Sequence, residues 1–261
     1  MQLGSVAPLL GLAFGFVTLI GTYLMSSYYK HLPVDLKVPF ISLNGVKFPE
    51  YALYSAGFTT TGICIFSSAL FARKNLFPMV ESELQAYAEV SFWSASVASM
   101  GLCVQAIVPL QVDILDVIAG TVPLSTQSIV HQTAALVLFL SGYVHCITMD
   151  ILLWKSRSLP NNSAARWLKT ALTVTAISPF VISFMPHPAS GGSGNLDEMT
   201  DGAIGQWICV SSLLFYFASY QIEFSSIRNS ANIMKNKSEG DDTSLLLTAS
   251  SELSVARPNA E

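Results

Sequence analysis

Pro39-Phe40-Ile41-Ser42-Leu43-Asn44-Gly45-Val46-Lys47-Phe48-Pro49-Glu50 joins two long apolar segments that carry no charged residue. Its prolines lack a backbone donor and its Asn-Gly pair favours a turn, so neither flanking helix continues through it. The stretch reads as a structured connector at a membrane surface, and the fold follows from what lies on either side.

Of 261 residues, 51% are hydrophobic and only 11% charged, against roughly 25% charged in ordinary soluble domains. That excludes a water-soluble globule. About 20 residues of helix, rising roughly 1.5 Å each, cross a hydrocarbon core of about 30 Å. Six apolar runs of that kind are present, near Ala7–Tyr28, Tyr51–Ala72, Ala86–Pro109, Ser128–Trp154, Trp167–Met185 and Ala203–Phe224. The predicted fold is all-α, an integral membrane bundle of six transmembrane helices over residues 1–228. A polar tail over 229–261 is expected to be disordered. Met1–Val6 carries no positive charge and the first run is too long for a cleaved signal, so it reads as a retained helix.

Basic residues orient the bundle. With the amino terminus inside, cytosolic segments hold Arg73, Lys74, Lys155, Arg157, Arg166, Lys169, Arg228, Lys235, Lys237 and Arg257, and exoplasmic segments only Lys30, Lys37 and Lys47. The positive-inside bias then places both termini in the cytosol. Within the spans, Gly11-x-x-x-Gly15 and the small residues Ser91, Ala95 and Ser99 mark packed helix faces. Pro179 falls inside the fifth span, where neighbouring helices can satisfy the carbonyl it frees.

The exoplasmic segments collect Glu50, Asp113, Asp116, His131, Asp197, Glu198 and Asp201. A histidine beside carboxylates suits a metal or general acid–base chemistry, but such loops need polar residues to stay hydrated. His131 has no carboxylate at i, i+4 spacing, and there is no His-Glu-x-x-His pattern. The four cysteines, Cys64, Cys103, Cys146 and Cys209, all lie in spans without ligand spacing. The sequence therefore predicts no catalytic residue, no cofactor and no metal site, and with no basic stripe it predicts no nucleic-acid partner. In the fourth span His131 and His145 are fourteen residues apart, about 21 Å along one face, too far to share a metal. His145 with Glu89 is a candidate proton path, although a neutral histidine bonded between helices is the favoured reading. Asp150 and Glu223 are expected to reach the interface from their helix ends.

Four motifs carry a resemblance. The Pro-x-Ile-Ser segment, the glycine and the Pro-Glu pair of the connector resemble the first exoplasmic loop of the Frag/DRAM/Sfk family, which includes the damage-regulated autophagy modulators. Gly101 to Gln111 resembles the end of that family's third span, His131-Gln132-Thr133-Ala134-Ala135 the start of its fourth, and Trp207 with the aromatic run to Tyr220-Gln221-Ile222-Glu223-Phe224 its sixth. The similarity covers about residues 5 to 228. It implies a non-enzymatic multi-pass regulator of the autophagy and lysosome type, in contact with membrane lipids. It ranks Glu50, His131 and Trp207 as determinants of fold or function. The family often has Glu directly before that Trp; here Gln206 removes the charge. Other branches imply an alternative, a lipid-handling protein acting in glycosylphosphatidylinositol-anchor remodelling or phosphoinositide kinase regulation at the plasma membrane, or a small transporter.

The tail carries Asp241, Asp242, Thr243, Ser244, Leu245, Leu246 and Leu247. An acidic residue four positions before a leucine pair occurs twice, resembling the dileucine signal read by clathrin adaptors in extended backbone. It favours an endolysosomal destination over the plasma membrane or Golgi.

Overall fold

The computed structural model describes residues 5–32, 38–110, 123, 125–159, 163–183 and 196–255, with the backbone alone for 196–199 and 230–255. Regular structure among them is entirely helical: α1 (Ala7–Tyr28), α2 (Glu50–Asn75), α3 (Gln85–Ile107), α4 (Thr126–Lys155), α5 (Ser163–Ser183) and α6 (Leu196–Val255), with short 3-10 turns at Ile41–Gly45, Phe77–Met79 and Ser82–Leu84. The connector breaks the chain as its composition dictates, and α2 starts at Glu50. Five stretches, Ala7–Tyr28, Glu50–Met79, Ser82–Ile107, Thr126–Lys155 and Thr200–Asn229, are long and apolar enough to cross a membrane. The remaining long helix, α5, has 21 described residues and carries Arg166 and Lys169 near its start. Each helix packs on the next in sequence and α6 returns to α1, so the six close into a ring; α6 also touches α2.

Hydrophobicity does not decide which side of each helix faces inward, because lipid is as apolar as a leucine core; close packing of small residues and interhelical hydrogen bonds decide it. Helix α1 buries Gly11, Gly15, Thr18, Thr22 and Ser26 while Leu10, Phe14, Val17, Ile20 and Leu24 are exposed. The expected glycine contact exists but is divided between two neighbours. A Cβ on Gly11 would lie 3.2 Å from Cys64 Cβ of α2, and one on Gly15 only 2.7 Å from Leu214 of α6. The small stripe of α3 is divided likewise: Ser99 Oγ donates to the Gly62 carbonyl of α2 at 2.7 Å, and Ser91 meets His145 of α4. Pro179 lies inside α5 as expected.

At the end of the bundle carrying Arg73 and Lys155, Glu81 joins two turns. Its Oε1 accepts from the Arg157 amide at 2.8 Å, the Ser158 amide at 3.1 Å and the Ser158 hydroxyl at 3.0 Å. The Ser156 hydroxyl contributes most, although it makes no aligned hydrogen bond; with the donors of Arg157 and Ser158 it holds the Glu81 carboxyl down at about 2. A folded value below the ordinary 4.5 contributes stability above about pH 4.5 that is lost as pH falls toward about 2. Amide exchange at Arg157 and Ser158, corrected for intrinsic rates, should therefore accelerate across that window, and Glu81→Ala, which removes the acceptor, should show fast exchange at neutral pH. Equal protection in both proteins would reject this junction.

Where the sequence reading has a disordered tail from 229, the backbone runs on as helix to Val255. The stretch 229–255 has no proline and one glycine, Gly240, so no proline interrupts the helix there. The backbone of Asp241, Asp242, Leu245, Leu246 and Leu247 is helical; their side chains lie outside the described residues, as do those of Asp113, Asp116, Asp197 and Glu198.

Candidate functional site

Of the residues singled out in the sequence, Glu50, Gln206 and Trp207 meet at the first-loop end. Glu50, in the first turn of α2, is fully buried, and its Oε1 lies 2.7 Å from His31 Nδ1, an ion pair when the ring is protonated. His31 in turn stacks on Tyr29. Asn44, also buried, accepts from Ser26 Oγ of α1 at 3.1 Å. On the other side of the loop, Trp207 Nε1 donates to the Pro39 carbonyl at 2.9 Å and Gln206 Oε1 accepts the Ile41 amide at 2.8 Å. The connector is thereby fastened to α1, α2 and α6. Gln206 needs no charge for its part, since a neutral amide oxygen accepts a backbone N–H.

His131 has a different partner. Buried one turn into α4, it donates from Nδ1 to the Val108 carbonyl at 2.7 Å. Tyr51 Oη donates to the Ile107 carbonyl at 2.9 Å and Gln127 Nε2 to the Pro109 carbonyl at 2.9 Å. The last carbonyls of a helix have no intrahelical donor, so Tyr51 and His131 cap the end of α3 at Ile107 and Val108, and Gln127 holds the chain just beyond it.

A second polar group lies inside the opposite half of the bundle. Lys169 of α5 and Glu223 of α6 are both buried, with Nζ 3.6 Å from Oε2. The ammonium also sits over the rings of Tyr220, at 3.8 Å, and Tyr216, at 4.7 Å. His145 bridges from there to α3: Nε2 lies 3.0 Å from Tyr220 Oη and Nδ1 2.8 Å from the Ser91 carbonyl. Tyr216 Oη reaches Cys146 O and Asp150 Oδ1. Glu89 is not part of this group. It pairs with Arg73 on the surface at 3.0 Å, so His145 and Glu89 do not meet and the favoured reading, a histidine bonded between helices, describes the arrangement. The expectation that Glu223 reaches the interface also fails, because its carboxylate turns inward to Lys169.

Between the two groups lies an apolar cleft of about 640 Å³, a measure that includes its open part. Residues of α2, α3, α4 and α6 line it, with Ile41 from the loop; its polar lining side chains are Tyr54, Gln105 and Gln206. Phe217 lines its inner part and stacks on His145 with rings 5.1 Å apart. Among the described residues, no three His, Cys, Asp or Glu side chains converge as metal ligands do.

A family model described as the Frag1/DRAM/Sfk1/Cwh43P N-terminal domain matches residues 3–227. The chain belongs to this family. No curated protein and no solved structure shows a significant match. The family domain contains Glu50, His131, Trp207 and both polar groups, whereas the acidic dileucine stretch lies outside it. Of the three singled-out residues, Glu50 and Trp207 hold the connector and His131 holds the end of α3. His31 and Lys169 escaped the sequence reading. The signal for each was a carboxylate, Glu50 or Glu223, that burial would leave without a partner.

Proposed function

We propose that this member of the Frag1/DRAM/Sfk1/Cwh43P family is a non-enzymatic membrane regulator of the autophagy and lysosome type, with both termini in the cytosol. The observation that supports it is the use to which the exoplasmic polar residues are put. Glu50, His131, Gln206 and Trp207 are engaged in holding the first loop and capping α3, rather than converging on a shared open site as an acid–base pair would. The comparison that tests this is autophagic flux, lysosomal morphology and membrane lipids in cells with and without the protein. Altered glycosylphosphatidylinositol-anchor lipids with normal flux would replace this reading with the lipid-handling one.

The destination is proposed to be endolysosomal, through a clathrin adaptor that reads Asp241, Asp242 and the leucines that follow. An adaptor needs extended backbone, and an isolated polar helix is marginal in water, so unwinding there opposes binding only weakly. Leu245, Leu246 and Leu247 changed together to Ala should move the protein to the cell surface with its spans intact. An epitope after Glu261 in that variant should stain only after permeabilisation. An unchanged distribution would reject the signal, and staining of intact cells would reject the topology.

A further inference from the structure

The cleft between α2, α3, α4 and α6 has the length and the chemistry of a site for one leaflet's worth of lipid. Its lining runs from Tyr54 to Ile65 on α2 and from Gln206 to Phe217 on α6. Each is twelve residues, eleven rises and so about 16 Å of helix, close to half of a hydrocarbon core of about 30 Å. The polar lining residues all lie at one end, one or two turns from the first loop; below them the walls are Phe58, Ala98, Leu102, Leu213 and Phe217. No charged side chain lines the cleft, so a phosphate headgroup would be buried there without a counter-charge, at large expense in free energy.

Gln105 selects the headgroup. Its side chain is about one-twentieth exposed, its Nε2 donates to Tyr54 Oη at 3.2 Å, and its Oε1 has no partner. Tyr54 Oη accepts that bond, and no described bond uses its proton. Together the pair presents one unused acceptor and one unused donor at the head of an apolar cleft. With the amide turned over, the tyrosine donates to the amide oxygen and the NH₂ group is left to donate. A hydroxyl, which both donates and accepts, answers either arrangement.

We infer that this cleft binds an uncharged membrane alcohol, an amphiphile whose hydroxyl sits between Gln105 and Tyr54 and whose apolar body fills the space down to Phe217. The inference stands apart from the autophagy reading, since a regulator and a lipid handler could each use such a site. A sterol and a diacylglycerol share this headgroup chemistry and differ in body.

The test uses the full chain in lipid nanodiscs with three clickable photoactivatable probes, a sterol, a diacylglycerol and a phosphatidylcholine, and the O-methyl ether of the sterol probe. One of the two alcohols should label peptides within 54–65 and 98–105 saturably, and the stronger alcohol identifies the body. Phosphatidylcholine should not compete. The shape-conserving pair Tyr54→Phe with Gln105→Leu removes both polar partners and should lower labelling about tenfold, the worth of two neutral hydrogen bonds, with the unfolding midpoint measured alongside. Should that variant unfold, the ether against its alcohol on the unaltered chain decides. Labelling outside the lining, equal labelling by the ether, or competition by phosphatidylcholine would overturn the site.

Discussion

Lys169→Met should destabilise the bundle by on the order of 3 to 5 kcal/mol, the usual consequence of leaving one member of a buried ion pair without the other. Glu223 is 3% exposed and its cation is 3.6 Å away; with methionine in place of that cation, the carboxylate is left buried without a counter-charge. The reverse change, Glu223→Leu, should do less harm. Lys169 then keeps the faces of Tyr216 and Tyr220, and a desolvated cation over an aromatic ring retains up to about 2 kcal/mol of attraction. The double variant removes both charges and should recover most of the stability, because an apolar pair of similar volume often replaces a buried ion pair without loss. Unfolding of the purified protein in mild detergent orders the three: Lys169→Met weakest, Glu223→Leu intermediate, the double nearest to the unaltered chain. Additive losses in the double variant would show that the two side chains act independently and that the pair is not what holds α5 to α6.

The helices were legible because each span is a run of apolar residues with a composition break at either end. Their arrangement was not, because an apolar helix in lipid offers no face that hydrophobicity can choose. Lys169 illustrates the gap. Read along its own helix it is a basic residue, the seventh of α5 and about 9 Å from its start, and it counts toward the cytosolic excess. Only the packing of α5 against both α4 and α6 encloses it beside Glu223, which α6 alone presents as an interfacial residue. His145 shows the same limit. Its need for a partner was plain from its position in a span, but the partners are Ser91 and Tyr220, whereas Glu89 had a closer cation in Arg73. At the first-loop end the residues could be named from the sequence but their bonds could not. A buried Glu50 demanded a donor, and His31 lies nineteen residues earlier, beyond any local pattern.

His131→Ala should lower stability by about 1 to 3 kcal/mol for the lost bond to the Val108 carbonyl, with a further loss from the cavity that a buried imidazole leaves. The ring is 2% exposed, so no water takes its place without rearrangement. A loss of that size is enough to change cellular abundance several-fold. Asparagine separates capping from chemistry. Its side-chain nitrogen sits where Nδ1 of the ring does, two atoms beyond Cβ, and it donates as Nδ1 does, but it has no basic nitrogen to take up a proton. His131→Asn should therefore restore most of the stability and abundance lost in His131→Ala, and cellular function should follow abundance in both variants. Tyr51 and Gln127 occupy the neighbouring carbonyls and hold the end of α3 near its place, so the single substitution weakens the cap without removing it. A His131→Asn protein that reaches normal levels and its usual membrane, yet leaves cells as deficient as those lacking the chain, would mean that the imidazole itself acts in binding or proton transfer.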